Sequence, residues 1–94
     1  MMSVYVDDLR DTSMAFIRNW PYAEACHLMA DSDAELEAFA RSIGLRRGWR
    51  HGDHYDLTRA RRAVAVRAGA IEVTARRLVE IRKQHEHGRS NRRR

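Results

Sequence analysis

Covalent staples and membrane spans are what this sequence most plainly lacks. It has one cysteine, Cys26, so no internal disulfide can form, and a lone cysteine fits a reducing compartment. Apolar residues occur only in short runs, far below the roughly 18 consecutive apolar residues that span a bilayer. The opening Met1-Met2-Ser3-Val4-Tyr5-Val6-Asp7-Asp8 has neither the basic start nor the long apolar stretch of a secretory signal. A cytoplasmic protein without a membrane anchor is therefore expected. With 94 residues and no evident internal repeat, the chain suits one domain and is too short for two.

What is present in excess is positive charge, and it is unevenly placed. The formal charge is +5. Residues 82–94 hold six basic residues and one acidic one, whereas residues 1–81 hold twelve of each, so the whole excess is in the tail. Within the neutral body, residues 1–40 carry eight acids and two arginines, and residues 41–67 carry eight arginines and two aspartates. Local sign, not the total, decides what a surface attracts.

Residue patterns predict an α/β domain over residues 1–84 followed by a flexible basic tail, 85–94. The run Ser3-Val4-Tyr5-Val6-Asp7 is β-branched and aromatic and predicts a strand. Residues 11–22, ending at Trp20-Pro21, are compatible with a short helix or an ordered loop. Cys26-His27-Leu28-Met29-Ala30 reads as a buried strand. Ser32-Asp33-Ala34-Glu35 fits a capping box. It opens a helix in which Leu36, Phe39, Ala40 and Ile43 share a face and Gly44 is the stop. The glycine-punctuated stretch 46–53 reads as a cationic loop leading into a third strand, His54-Tyr55-Asp56-Leu57. Thr58 caps a second helix with Ala60, Ala63, Val64 and Ala68 turned inward, ending at Gly69. A fourth strand, Ala70-Ile71-Glu72-Val73, precedes a last helix capped by Thr74 and carrying Leu78 and Ile81. Strands alternating with helices predict a small open sheet of about four strands, at least partly parallel, with helices on its faces.

Ligands of such sheets gather at the carboxyl ends of the strands. If the strands run parallel, that edge collects Asp7, Asp8, Asp31, Asp56 and Thr74, and its carboxylates suit Mg²⁺ or Mn²⁺. His54 and Asp56 are spaced to project from one face of a strand, as a general-base pair or as metal ligands, with His27 as a facing partner. Zinc spacing is absent, since Cys26 and His27 are adjacent and no paired-ligand motif exists elsewhere. The segment 46–56 offers Arg46, Arg47 and Arg50 as phosphate forks and Trp49 and Tyr55 as stacking surfaces. The tail, with Arg92, Arg93 and Arg94, adds affinity for polyanions without sequence preference. Each feature also has a plainer reading, as turn-forming aspartates, core aromatics, a packed histidine or a solvated end.

Val4-Tyr5-Val6-Asp7-Asp8, His27-Leu28, Ala30-Asp31, Glu35 to Ala40, Gly44-Leu45, Asp53-His54-Tyr55-Asp56 and Gly69 to Val73 together resemble DUF4031, a family of small bacterial and phage proteins of unknown function. The resemblance implies a compact stand-alone domain, sometimes phage-encoded and in some bacterial proteins joined to a phosphohydrolase-type domain, with no established activity. The chain departs from the family pattern at Ala25-Cys26, where Trp-Ser is usual, and at Arg77, where a glutamate is typical.

Three functions are consistent with these residues. The first is recognition of phosphate, in nucleic acid or nucleotides, through the arginine loop, His54, Tyr55 and the tail. The second is metal-dependent hydrolysis of phosphoesters or nucleotides at Asp7, Asp8, Asp31, His54 and Asp56. The third is a protein-interaction module, such as a phage product that docks on a host defence complex through its segregated charges.

Overall fold

The computed structural model describes residues 3–13 and 20–92, with side chains described as far as residue 85. The segment 14–19, which carries most of the expected helix or loop before Pro21, lies outside the described residues, as do Arg93 and Arg94.

Six strands form one mixed sheet. They are β1 (Val4–Val6), β2 (Arg10–Asp11), β3 (Glu24–Ala30), β4 (Arg50–His51), β5 (His54–Leu57) and β6 (Ile71–Glu72). The sheet runs β4-β5-β3-β1-β6, with β2 paired to the start of β3. The α/β architecture and partly parallel sheet are as expected, but two two-residue strands, β2 and β4, are added. Neither shows the apolar alternation that reveals a strand, and the second falls inside the stretch read as a loop.

Strand direction departs further from expectation. β3 runs antiparallel to both β1 and β5, so β1 and β5 point the same way, and β6 pairs with β1 in parallel. The carboxyl ends of β1 and β5 therefore meet the amino-terminal half of β3, not its end.

Three helices complete the domain: α1 (Asp33–Ser42), α2 (Arg59–Arg67) and α3 (Ala75–Arg92). Their starts follow the expected caps. The hydroxyls of Ser32, Thr58 and Thr74 accept hydrogen bonds from the amides of Glu35, Arg61 and Arg77, each satisfying one of the free donors of a first turn. Gly44 and Gly69 end α1 and α2 with φ of 81° and 111°, a left-handed conformation that other residues rarely adopt. The backbone of residues 85–92 continues α3 where a tail was expected. No described helix is long and apolar enough to cross a membrane.

The core lies between one face of the sheet and the first two helices. Val4, Val6, Cys26, Leu28, Ala30, Tyr55 and Leu57 meet Leu36, Ala40 and Ile43 of α1 and its end, and Ala65 of α2. Leu36 and Ala40 are inward as their spacing predicts. In α2 the buried face centres on Ala65, while Ala60, Ala63 and Ala68 are exposed. An alanine-rich helix has weak periodicity, and here its partly buried arginines take up the slack. Arg62 reaches back to donate to the Asp7 carbonyl at 2.9 Å and to pair with Glu72.

The opposite face of the sheet carries the alternate residues Tyr5, Asp7, His27, His54 and Asp56. Two ion pairs tether α3 on that side. Arg82 Nε lies 2.8 Å from Asp53, and His85 Nε2 lies 3.5 Å from Asp31. Leu78 and Ile81 of α3 are buried there, outside the main core.

Candidate metal centre

Register builds this site. His27 of β3 is the cross-strand partner of Asp56 on β5, and His54, two residues before Asp56, shares its face. Asp7 follows β1 directly, and its amide donates to the His27 carbonyl. Three neighbouring strands thus set Asp7, His27, Asp56 and His54 side by side. Nε2 of His54 is 3.5 Å from Asp56 Oδ1, and Nε2 of His27 is 4.0 Å from the same oxygen. A ligand atom from each of His27, His54 and Asp56 lies within 4.8 Å of the other two, close enough for one ion to bridge all three.

Both imidazoles are held from behind. Asp7 is 3% exposed and accepts from His27 twice, from the backbone amide at 2.6 Å and from Nδ1 at 2.8 Å. His54 Nδ1 is 3.0 Å from Asp53 Oδ1, and Asp53 is itself paired with Arg82. A carboxylate on Nδ1 draws a proton there. In His27, whose Nε2 faces the Arg10 guanidinium, this leaves a lone pair on Nε2, the arrangement that orients histidine ligands in metal sites. Nε2 of His54 instead faces the Asp56 carboxylate and donates to it when protonated. The imidazole rings meet edge to face at 5.0 Å.

The site is electrostatically coupled. The hydrogen bond to Asp56 raises the pKa of His54, against the opposing effect of burial, with Asp53 adding to the rise. The same bond to His54 leads the lowering of Asp56. For Asp7 and Asp53 burial favours the neutral acid, yet the hydrogen bonds from His27 and His54 and the neighbouring positive charge hold both below the usual carboxylate range. Around the centre, Arg10 Nη2 donates to His27 Nε2 at 3.0 Å, and exposed His51 sits with Nδ1 3.5 Å from Asp56 Oδ2. An open cleft of about 470 Å³ adjoins His51 and His54, walled by Asp53 and Arg82 on one side and by Arg50 and Asp33 on the other.

The remaining expected residues fall elsewhere. Asp31 ends β3 at the opposite edge of the sheet, where it accepts from the Ser3 amide and the Tyr5 hydroxyl. It cannot join Asp7 and Asp56, because antiparallel β3 carries its carboxyl end away from theirs. Asp8 is exposed, one residue out of phase with Asp7. Asp7 lies behind His27, with both carboxylate oxygens taken up by the His27 amide and Nδ1. Tyr55 is 1% exposed in the core, with its hydroxyl 3.3 Å from Glu37, which removes it from any stacking surface. Arg50 is committed to Glu37, Asp33 and the Gly52 carbonyl, so it is no free phosphate fork. Arg46 and Trp49 lie beside Arg61 of α2. They are therefore on the helical side of the sheet, while His54 and Asp56 face the other way; one shared rim does not form. The Arg92 side chain lies outside the described residues.

His27 stands closer to this cluster than its place in an apolar strand implies. His54 and Asp56 lie 27 and 29 positions further along the chain, so no local spacing reveals the convergence, and three residues drawn from separate strands leave no paired-ligand motif. His51 and Arg10 sit on the two short strands.

No curated protein matches this chain, and no solved structure matches it. A family model described as protein of unknown function (DUF4031) matches residues 4–85, and by that match the chain belongs to the DUF4031 family.

Proposed function

We propose that the protein is a metal-dependent phosphoesterase in which His27, His54 and Asp56 hold one divalent ion. The observation that carries this reading is the convergence of two imidazole nitrogens and a carboxylate oxygen within 4.8 Å, on rigid strands, with a second carboxylate behind each imidazole. Structural histidines satisfied by hydrogen bonds alone do not require three ligand atoms facing a common point.

Two imidazoles and one carboxylate favour Mn²⁺, Fe²⁺ or Zn²⁺ over Mg²⁺, which prefers an all-oxygen shell. This keeps the Mn²⁺ expected from carboxylates alone, replaces Mg²⁺, and adds Fe²⁺ and Zn²⁺. Three protein ligands leave room for water and substrate, and an ion so held supplies Lewis-acid activation of water and stabilises charge on a phosphoryl oxygen.

The protein's own groups cover the remaining tasks. Arg10, which donates to His27 Nε2 at 3.0 Å, would compete with an ion for that lone pair, and its guanidinium beside the centre would neutralise a phosphoryl oxygen. His51, exposed and beside Asp56, is placed to carry a proton between the centre and solvent. The adjoining cleft, of about 470 Å³, has room for a nucleotide-sized phosphoester.

Titration calorimetry with Mn²⁺ and Zn²⁺, followed by assay with bis(p-nitrophenyl) phosphate and nucleotides, tests the reading. Stoichiometric binding and ion-dependent turnover are expected, both lost in His54→Ala. A wild-type chain that binds no ion would end the proposal.

A further inference from the structure

The arginines between residues 41 and 67 divide into two groups. Arg50, Arg59 and Arg62 are each paired with a carboxylate, Arg50 with Asp33 and Glu37, Arg59 with Glu24 and Arg62 with Glu72. The other five, Arg41, Arg46, Arg47, Arg61 and Arg67, have no carboxylate at ion-pair distance among the described residues. Three of them, Arg46, Arg47 and Arg61, gather at one place. The guanidinium carbons of Arg46 and Arg61 lie 5.5 Å and 5.8 Å from the centre of the Trp49 ring, and Arg47 adjoins in the same short 3₁₀ turn, Arg47–Trp49.

Trp49 itself is 49% exposed, although an indole in so small a domain is normally used for burial. Its turn makes no contribution to the core; the large aromatic buried from this region is Tyr55. Arg61 is half-buried and donates to the Ile43 carbonyl, but packing explains neither the tryptophan nor exposed Arg46 and Arg47.

We infer that Trp49, with Arg46, Arg47 and Arg61, is a binding platform for single-stranded nucleic acid. An exposed indole offers a π-face to an unpaired base, which would take the place of a guanidinium now over the ring, and the guanidinium groups so released would reach the flanking phosphates. Duplex bases are already stacked and cannot use such a surface, and an acidic protein would have no need of the indole. This inference goes beyond the hydrolytic reading and does not depend on it, because the platform lies on the helical side of the sheet. The two sites are nevertheless neighbours in the chain. Trp49 directly precedes β4, and His51, the second residue of that strand, contacts Asp56 on the opposite side. A strand of nucleic acid passing round the β4 edge would meet both.

The test is fluorescence anisotropy of a labelled oligothymidylate of about 12 nucleotides, a length within the usual site size, with the full chain in EDTA so that metal plays no part. Wild type should bind, with affinity falling steeply as salt rises. Trp49→Leu should weaken binding about tenfold or more, Trp49→Phe should weaken it less, and Arg46→Ala/Arg47→Ala should flatten the salt dependence. Quenching of intrinsic fluorescence on binding should vanish in Trp49→Leu, where only Trp20 remains. Unchanged circular dichroism melts would confirm that these surface variants fold. The inference is overturned if wild type does not bind. It is equally overturned if Trp49→Leu binds as wild type does, or if binding is lost only in Arg92→Ala/Arg93→Ala/Arg94→Ala, which would assign it to the tail.

Discussion

Replacing Asp7 by asparagine separates the metal reading from a purely structural one. The Asp7 carboxylate is almost fully buried and accepts two hydrogen bonds from one residue, the His27 amide at 2.6 Å and His27 Nδ1 at 2.8 Å. Asparagine keeps the shape but has one oxygen for those two donors. If that oxygen stays on Nδ1, the new NH₂ faces the backbone amide, and a buried donor is left unsatisfied at a cost of about 1–3 kcal/mol. If the amide flips, His27 must place its proton on Nε2 and lose the lone pair aimed at Asp56. Loss of such a supporting carboxylate lowers metal affinity about 10- to 100-fold, equivalent to about 1.4–2.8 kcal/mol. Calorimetry with Mn²⁺ or Zn²⁺ measures the loss of metal affinity and urea unfolding in EDTA the loss of stability, while ¹⁵N chemical shifts of His27 report its tautomer. Asp8→Asn, one residue on and exposed, should change none of these. An Asp7→Asn protein that is less stable yet binds metal as tightly as wild type would refute the role assigned to Asp7 and leave it a packing residue.

Other perturbations have equally definite expectations. Arg10→Met removes the competitor for His27 Nε2, a net hydrogen bond of about 0.5–1.5 kcal/mol, so metal affinity measured by calorimetry should rise about 2- to 10-fold; a fall would mean that Arg10 supports the site. Cys26 is fully buried, and burial together with the charge of Asp7 pushes its thiol up to about 12. It should therefore resist a chromogenic disulfide reagent at pH 8 in the folded protein and react rapidly in denaturant, whereas fast reaction of the native chain would contradict the packing of β3. The metal-free protein should also lose stability at both ends of the pH range. Asp7, Asp53 and Asp56 are held below their ordinary 3.8, so their contribution is present above that value and disappears as pH falls through the lowered pKa values. His54 is raised above 6.5, so its contribution is present below 6.5 and disappears as pH rises through the raised value. Melts across pH in EDTA should therefore show the Asp56→Asn variant losing most of the decline on the alkaline side, since the Asp56 hydrogen bond leads the His54 shift; an alkaline limb of unchanged size would show that another group controls it.

Local signals in the chain carried the elements well. Ser32, Thr58 and Thr74 cap helices because a hydroxyl at those positions meets a free amide three residues on, an interaction decided within one turn. Gly44 and Gly69 stop helices because they alone relieve a left-handed backbone. Alternation in His54-Tyr55-Asp56-Leu57 separates polar from buried residues correctly, since side-chain direction in a strand has period two whatever its neighbours. Two-residue strands such as Arg10–Asp11 and Arg50–His51 are too short to display that period and exist only because longer strands lie beside them.

The amino-acid sequence by itself determined the main strands, the starts of the three helices, the ends of α1 and α2, the inward residues of α1 and the family to which the chain belongs; the strands, caps and helix faces rest on contacts within a few positions. Tertiary structure alone decided which acidic and histidine side chains meet. A strand's polarity is not written in its own residues, and the antiparallel course of β3 carries Asp31 away from the carboxyl ends of β1 and β5 while setting His27, in mid-strand, between Asp7 and Asp56. It also decided that Trp49 lies on the surface, because the short 3₁₀ turn that carries it puts no residue into the core.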